Sequence, residues 1–118
     1  MLSKTGIQVL LDDMAAAYRA GDAEGCAALF CKDAQLHSPF GPPAIGRNAI
    51  LDLHREWVAE PNNKQFLILD HGSGDNMAWC LARFSEGDGA EDGTSLLVLE
   101  PQKDGAWLIR ACCLYEGD

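Results

Sequence analysis

The chain changes its main hydrophobic periodicity near Pro61, and this change limits the folds that it can adopt. Before Pro61, apolar residues recur every three or four positions, which is the spacing of one face of a helix. After Pro61, apolar residues come in unbroken runs of strand length, bounded by Gly, Asp and Asn. In a chain of 118 residues, helices followed by strands predict a single α+β domain that spans residues 1–118.

Three helices are predicted in the first half of the chain. The first begins at a capping box of Thr5 and Gln8 and ends at Gly21, where a glycine can adopt the left-handed conformation that stops a helix. A short second helix is predicted over 23–30, and a third over 47–59. Each has one apolar face, so all three are expected to pack on the same side of the sheet.

Five strands are predicted from the runs of apolar residues. A short strand at 33–38 lies between the second and third helices. Four longer strands follow Pro61, at 64–71, 77–85, 94–101 and 106–114. Because the connectors between these four are short, neighbouring strands are predicted to be antiparallel. The predicted architecture is a curved antiparallel sheet packed against three N-terminal helices.

The predicted strands are apolar on both faces, as in the runs FLIL, AWCLA, LLVL and WLI. A sheet with one solvated face should instead alternate apolar and polar residues. Three helices cover one face, so we expect a second copy of the chain to cover the other, giving a symmetric homodimer through the outer sheet face. The alternative is that a domain of this size carries extra hydrophobic residues on its surface.

Charge and segment composition argue against several classes of partner. The formal net charge is −9, and there is no cluster of Lys or Arg, so nucleic acid and anionic membrane surfaces are disfavoured. No segment approaches the roughly 20 apolar residues of a spanning helix. The N-terminal segment also lacks the apolar run of a signal peptide. We therefore expect a cytoplasmic protein with no nucleic-acid or membrane partner.

The cysteines and histidines do not have the spacing of a metal site. The five cysteines are odd in number and contain no CxxC pair, which argues against a disulfide framework and a zinc knuckle. The three histidines, His37, His54 and His71, lie on separate predicted elements and form no HxH or HxxxH pair. We predict no metal and no other cofactor.

Five short motifs occur in a recognisable order. They are A-G-D at 20–22, A-L-F-x-x-D-A at 28–34, P-x-G at 39–41, G-R-x-A-I at 46–50 and DGAWLIRA at 104–111. With these motifs the chain resembles the SnoaL-like and ketosteroid-isomerase-like proteins of the NTF2-like superfamily. The resemblance implies a cystatin-like cone, in which a strongly curved antiparallel sheet wraps round a long helix. It also implies an apolar pocket at one end of the cone and, usually, a dimer.

The resemblance further implies that the catalytic set of the ketosteroid isomerases is missing. Ser38 stands where those enzymes have the aspartate that shuttles the proton. Met14 stands where they have an oxyanion-hole tyrosine, and Leu96 stands near the place of their protonated aspartic acid. A serine is too weak a base without activation, and Met and Leu donate no hydrogen bond to an enolate oxygen. We therefore do not expect steroid isomerisation.

His54 is left as the candidate catalytic residue. It lies on the apolar face of the third helix and aligns with a pocket tyrosine of the isomerases. A histidine titrates near neutral pH and can serve as a general acid or base. The alternative is a core histidine that is bonded to a neighbouring carbonyl. The candidate ligand-binding residues are Met14, Tyr18, Ser38, Cys80 and Leu96.

Two functions fit these residues. The first is that of a SnoaL-like protein that binds a small, mostly apolar molecule in the cone, either as a ligand or as the substrate of an isomerase-, cyclase- or hydrolase-type enzyme. The second is that of a non-catalytic dimeric module for protein interaction or assembly. An open pocket of a few hundred Å³, the size range of ligand sites, favours the first function, and a cavity filled by side chains favours the second.

Overall fold

The structure, a computed structural model, describes residues 1–59, 63–85 and 93–116. Pro61, where the periodicity is predicted to change, lies outside the described residues. The elements, in chain order, are α1 (Lys4–Ala20), α2 (Ala23–Ala27), β1 (Phe30–Ser38), β2 (Gly41–Ile45), α3 (Arg47–Trp57), β3 (Gln65–Ser73), β4 (Ala78–Ser85), β5 (Gly93–Pro101) and β6 (Trp107–Glu116). The predicted α+β class is confirmed. Within the described ranges, no helix combines the length and the apolar character needed to cross a bilayer.

The boundaries of α1 follow from a side-chain cap and a glycine. The hydroxyl of Ser3 accepts a hydrogen bond from the Gly6 N–H at 3.1 Å. The helix therefore begins ahead of the predicted capping box at Thr5 and Gln8, because a serine at the N-cap satisfies a backbone donor of the first turn. The helix ends at Gly21, whose φ of 67° lies in the left-handed region, as predicted.

The first strand is longer than predicted, and α2 is correspondingly shorter. β1 begins at Phe30, which lies level with Ile109 of β6. The N–H of Ile109 donates to the carbonyl of Leu29 at 2.8 Å. The predicted helix therefore ends early, because Phe30 pairs with β6 instead of continuing α2. The apolar pattern around Phe30 does not indicate this pairing, since β6 is distant in sequence.

β2 is missing from the predicted elements, because its sequence GPPAI is typical of a turn. It pairs antiparallel with β1, with Leu36 opposite Ala44 and Ser38 opposite Gly41. β2 forms one edge of the sheet. Proline has no N–H to donate. It is tolerated in an edge strand because one side of that strand faces no neighbouring strand and needs no donor.

The six strands form one curved, unclosed sheet in the order β2-β1-β6-β5-β4-β3. The four later strands are antiparallel neighbours, as predicted. β1, however, runs parallel to β6, with Leu36 beside Cys112. The prediction of a wholly antiparallel sheet is therefore wrong, and the sheet is mixed. Parallel neighbours need a long crossover, and the chain from β2 to β5 supplies it.

The helices pack on one face of the sheet, here called the inner face. On β4 the residues that face the helices alternate along the strand; they are Ala78, Cys80, Ala82 and Phe84. Register shifts in β1, β3 and β5 break the regular pairing. Such irregularities bend strands, and the bends contribute to the curvature of the sheet.

The opposite face of the sheet, here called the outer face, exposes large apolar side chains on four adjacent strands. They are Leu67, Trp79, Leu96 and Tyr115. Their exposed fractions range from 39% for Trp79 to 63% for Leu67. This is the surface through which the sequence predicts a homodimer.

Candidate ligand-binding pocket

A cavity of about 370 Å³ lies between α1, α3 and the inner face of the sheet. It is lined by Met14, Tyr18, Phe30, Leu36, Phe40, His54, Trp57, Lys64, Phe66, Phe84, Ser95, Leu97, Cys112, Leu114 and Glu116. Most of these side chains are apolar or aromatic. Phe40 and Glu116 are exposed and mark the mouth of the cavity. The volume falls in the range of roughly 300–1,000 Å³ that is typical of small-molecule sites.

His54 is the most buried titratable side chain of this pocket, with 1% of its surface exposed. Its ring centroid lies 5.1 Å from that of Trp57 and 5.7 Å from those of Tyr18 and Phe30. One helical turn separates His54 from Ile50, so its Nδ1 comes within 2.8 Å of the Ile50 carbonyl oxygen. The histidine therefore has the carbonyl partner of a core residue and also lines the pocket.

The hydrogen bond to Ile50 sets the tautomer of His54. A carbonyl oxygen only accepts, so Nδ1 carries the hydrogen and, in the neutral ring, Nε2 carries the lone pair. Burial lowers the pKa of His54 below its ordinary value of 6.5; the hydrogen bond to Ile50 acts to raise this pKa, and the charge of Lys64 lowers it further. Near pH 7 the ring is therefore neutral, with Nε2 as its basic atom.

The stability of the fold is expected to decrease as the pH falls through the titration of His54. Because the pKa is lowered in the folded state, the unfolded chain takes up the proton first as the pH drops below 6.5. The loss continues until the pH reaches the folded-state pKa, with a slope of at most about 1.4 kcal/mol per pH unit from this one group. Urea unfolding at about pH 7.5 and about pH 5.5 measures the difference.

A His54→Phe variant provides the control for this pH dependence. Phenylalanine keeps an aromatic ring among Tyr18, Phe30 and Trp57 but does not titrate. We expect the variant to show a smaller difference in stability between the two pH values than the parent. An unchanged difference would show that His54 takes up its proton equally well in the folded and unfolded chains.

Lys64 is a pocket residue that the sequence analysis missed. Only 8% of its surface is exposed. Its Nζ lies 4.6 Å from the centroid of the Tyr18 ring and 4.5 Å from that of Phe84, so the ammonium is held between two aromatic faces. Its carbonyl accepts a hydrogen bond from Nη1 of Arg19 at 3.2 Å. A lysine at the start of a strand is usually solvated, so the sequence carries no signal for this position.

Three of the predicted site residues meet in the pocket, namely Met14, Tyr18 and His54. Ser38 does not join them and lies outside the lining. Ser38 is the last residue of β1, at the point where the pairing of β1 with β2 becomes irregular. Its Oγ instead accepts a hydrogen bond from the Phe40 N–H at 3.3 Å. The prediction that Ser38 faces the pocket is wrong.

Cys80 and Leu96 are also outside the lining. Cys80 faces inward as predicted, but it is fully buried in the core. Leu96 is 44% exposed and lies on the outer face, so its predicted pocket position is wrong. The pocket residues of β5 are its neighbours Ser95 and Leu97. Leu96 lies one position away from these two residues, and successive side chains of a strand point to opposite faces.

Cys112 lines the pocket from β6. Burial raises the pKa of its thiol to about 12, and the neighbouring Cys113 acts in the same direction. The thiolate is the reactive form of cysteine, so a thiol with this pKa is unreactive near neutral pH. Cys112 therefore acts as a small apolar part of the lining.

These features define a class of protein: an α+β domain whose curved sheet and helices enclose a mostly apolar pocket. The profile of the SnoaL-like domain matches residues 11–110. The chain belongs to the SnoaL-like domain family, as the resemblance predicts. No curated protein matches the sequence significantly.

Solved structures place the fold among the NTF2-like proteins. An NTF-2-like protein of unknown function from Shewanella oneidensis has a TM-score of 0.80 and 18% identity, with 92% of this chain and 95% of that chain covered. A ketosteroid isomerase-like protein from Erwinia carotovora atroseptica has a TM-score of 0.79 and 14% identity, covering 95% and 94%. A Catenulispora acidiphila protein in complex with S-DNPA has a TM-score of 0.70 and 22% identity, covering 93% and 90%.

Proposed function

We propose that this protein binds a small, mostly apolar molecule in its pocket, with one polar group of that molecule facing His54. The observation that carries the proposal is the cavity of about 370 Å³, whose lining is mostly apolar and includes this one buried imidazole. An apolar body gains free energy by leaving water for such a lining. The Catenulispora acidiphila relative, in complex with S-DNPA, supports a ligand-binding use of the fold.

The chemistry that this site supports best is reversible proton transfer. His54 is neutral near pH 7 and presents Nε2 as a base of suitable strength. In the proposed reaction Nε2 takes a proton from an acidic C–H or O–H of the bound molecule and returns it to another atom of the same molecule. Tyr18 and Lys64 line the same cavity and stabilise the negative charge that develops meanwhile. This is a reaction of the isomerase or cyclase type, without a carboxylate base.

Binding is tested with a library of lipophilic carbonyl compounds, using native mass spectrometry and tryptophan fluorescence. Trp57 lines the pocket, whereas Trp79 lies on the outer face. We expect a bound compound to change the fluorescence of the parent and of a Trp79→Phe variant. We expect no such change in a Trp57→Phe variant.

The role of His54 is tested on the compounds that bind. A His54→Phe variant should bind them up to about tenfold more weakly, because one hydrogen bond is lost. It should also lose any exchange of ligand protons with deuterated water that the parent catalyses. If the library yields no binder, or if the variant matches the parent in both assays, the proposal fails.

A second candidate function is that of an assembly module. The observation that favours it is the outer face, where Leu67, Trp79, Leu96 and Tyr115 are exposed on adjacent strands. A patch of this kind often marks a protein interface. A second copy of the chain fits it, because a twofold axis brings the same apolar surface onto itself. The two functions are compatible, since the pocket lies on the other side of the sheet.

The homodimer is tested by measuring the mass in solution with light scattering. We expect the parent to have twice the mass of one chain, and a Leu96→Glu variant to have the mass of one chain. Val9 on α1 is exposed to a similar extent, at 53% against 44% for Leu96. A Val9→Glu variant should therefore stay dimeric. A parent with the mass of one chain would contradict the dimer.

We place either function in the cytoplasm. All five cysteines are free thiols, and four of them are buried. A reducing compartment keeps such thiols in this state. The high pKa of Cys112, about 12, further protects the one that lines the pocket.

A further inference from the structure

Ser95 is a polar residue of the pocket wall that has no part in the proposed proton transfer. It lies on the inner face of β5, and only 4% of its surface is exposed. It is level with Ala82 of β4 and Leu114 of β6. Two positions away on the same face of β5 are Gly93 and Leu97. None of these four neighbours has a side chain that forms hydrogen bonds, so the hydroxyl of Ser95 lies in an apolar part of the wall.

The hydroxyl of Ser95 opens onto the cavity. In residues 1–59, 63–85 and 93–116, every completely shielded side-chain nitrogen or oxygen of the buried and half-buried residues has a hydrogen-bond partner. No partner of the Ser95 hydroxyl is found in these ranges. The hydroxyl is therefore not completely shielded, and the space that it reaches is the cavity that Ser95 lines. A buried hydroxyl without a partner is unfavourable, and a hydrogen bond to a ligand relieves this.

Nε2 of His54 is a second atom of this kind. Nδ1 of the same ring is bonded to a backbone carbonyl, and Nε2 has no partner among the described residues, so it also opens onto the cavity. His54 lies on α3 and Ser95 on the sheet, so the two atoms belong to different walls. The other polar residues of the lining, Tyr18, Lys64 and Glu116, have further interactions within the chain.

We propose that the ligand carries two uncharged oxygen groups: a hydroxyl that donates to Nε2 of His54, and an acceptor, such as a carbonyl, that is bound by the hydroxyl of Ser95. The inference rests on the proposed function, which supplies the contact with His54, and adds the contact with Ser95 and the class of ligand. Nε2 of the neutral ring only accepts, so its partner is a donor. The apolar neighbours of Ser95 do not stabilise a charge, which favours an uncharged oxygen beside it.

The test uses four compounds that have similar apolar bodies and every combination of the two groups. Hydroxyphenylbutanone, with its hydroxyl para to the chain and its ketone next to the terminal methyl group, has both. Phenylbutanone has only the ketone, para-butylphenol has only the hydroxyl, and butylbenzene has neither. Binding is followed by the fluorescence of Trp57, which lines the pocket, and by native mass spectrometry.

Each variant is compared with the parent for the same compound, so the cost of removing that compound from water cancels. Ser95→Ala should weaken the binding of the two ketones about tenfold and leave butylphenol and butylbenzene unchanged. His54→Phe should instead weaken the two compounds that have a hydroxyl. Ser95→Thr keeps a hydroxyl and should retain most of the binding of the ketones.

Ser73→Ala is the matched control for Ser95→Ala. The hydroxyl of Ser73 accepts from the N–H of Leu2 at 3.0 Å and lies outside the pocket lining. Its removal should therefore leave the binding of all four compounds unchanged. Weaker binding of the ketones by this variant, to the extent seen with Ser95→Ala, would contradict a specific contact with Ser95.

A purely structural role of the Ser95 hydroxyl is tested by urea unfolding of the protein without ligand. Because this hydroxyl has no partner in the described part of the chain, Ser95→Ala should leave the unfolding midpoint unchanged or raise it. A clearly lower midpoint would show that the hydroxyl is bonded within the fold, and the assignment of Ser95 to the ligand would be wrong.

The failure of this inference differs from the failure of the proposed function. Suppose that Ser95→Ala binds both ketones as tightly as the parent, while His54→Phe still weakens the compounds with a hydroxyl. The assignment of Ser95 is then wrong and the proposed function stands. An effect of Ser95→Ala on butylphenol in place of the ketones overturns the assignment as well. If none of the four compounds binds, the proposed function itself is contradicted.

Discussion

Replacing Leu99 with alanine is expected to lower the free energy of unfolding by about 2–5 kcal/mol. Leu99 has no exposed surface and lies on the inner face of β5, level with Ala78 on one side and Ile109 on the other. It is not part of the pocket lining, so its removal opens a new void in the packed core. Both the lost burial and the void destabilise the fold. Urea unfolding, followed by circular dichroism, measures the change.

Ile45→Ala is the matched control for Leu99→Ala. Ile45 lies on the edge strand β2 and is 60% exposed, so the same type of truncation removes mostly solvated surface. We expect a change within about 0.5 kcal/mol. Equal losses in the two variants would mean that Leu99 does not lie in the core.

Replacing Gly46 with alanine is expected to cost about 1–3 kcal/mol. Gly46 has φ 90° and ψ 154°, a conformation that is almost confined to glycine. The nearest neighbour of an added Cβ is the carbonyl oxygen of Lys32 at 3.8 Å, so the cost is conformational rather than steric. Gly46 also donates to the carbonyl of Ala34 and accepts from the N–H of Ile50, which connects β1 to the first turn of α3.

A Gly41→Ala variant separates this effect from a general cost of losing a glycine. Gly41 has no atom within 4 Å of an added Cβ, and its φ is not positive. Alanine there should leave stability unchanged or raise it by up to about 1 kcal/mol, because it restricts the unfolded chain. The same loss at both positions would contradict the assigned role of Gly46.

The elements that could be predicted from the sequence are those that local physics determines. The apolar face of α1, with Ile7 and Leu11 at helical spacing, is a property of one short segment. The parallel pairing of β1 with β6 is not such a property. This pairing depends on residues that are far apart in sequence, such as Leu36 and Cys112. The hydrophobic period of a short segment carries no information about such pairs. β2 was missed for a related reason, since its prolines are acceptable only at the edge of a sheet.

The candidate site was predictable to the extent that helices carry it. Met14, Tyr18 and His54 lie on α1 and α3, where a regular period fixes the direction of a side chain. Leu96 lies on a strand, where a slip of one residue reverses that direction, and Ser38 lies at the end of a strand, where the pairing is irregular. Lys64 could not be found, because its place in the pocket results from Tyr18 and Phe84, two rings that are distant in sequence.

The position of β6 has a consequence for how the chain acquires its structure. β6 lies between β1 and β5, and its residue Arg110 donates to the carbonyl of Asp33, 77 positions earlier. Folding rates fall as native contacts become more distant in sequence. During synthesis, α1 to α3 are made before β6. Until the later strands are made, the apolar faces of these helices have no complete sheet to pack against. Apolar surface that is exposed for longer favours aggregation, so the long-range pairing of β6 with β1 is the step on which completion of the sheet depends.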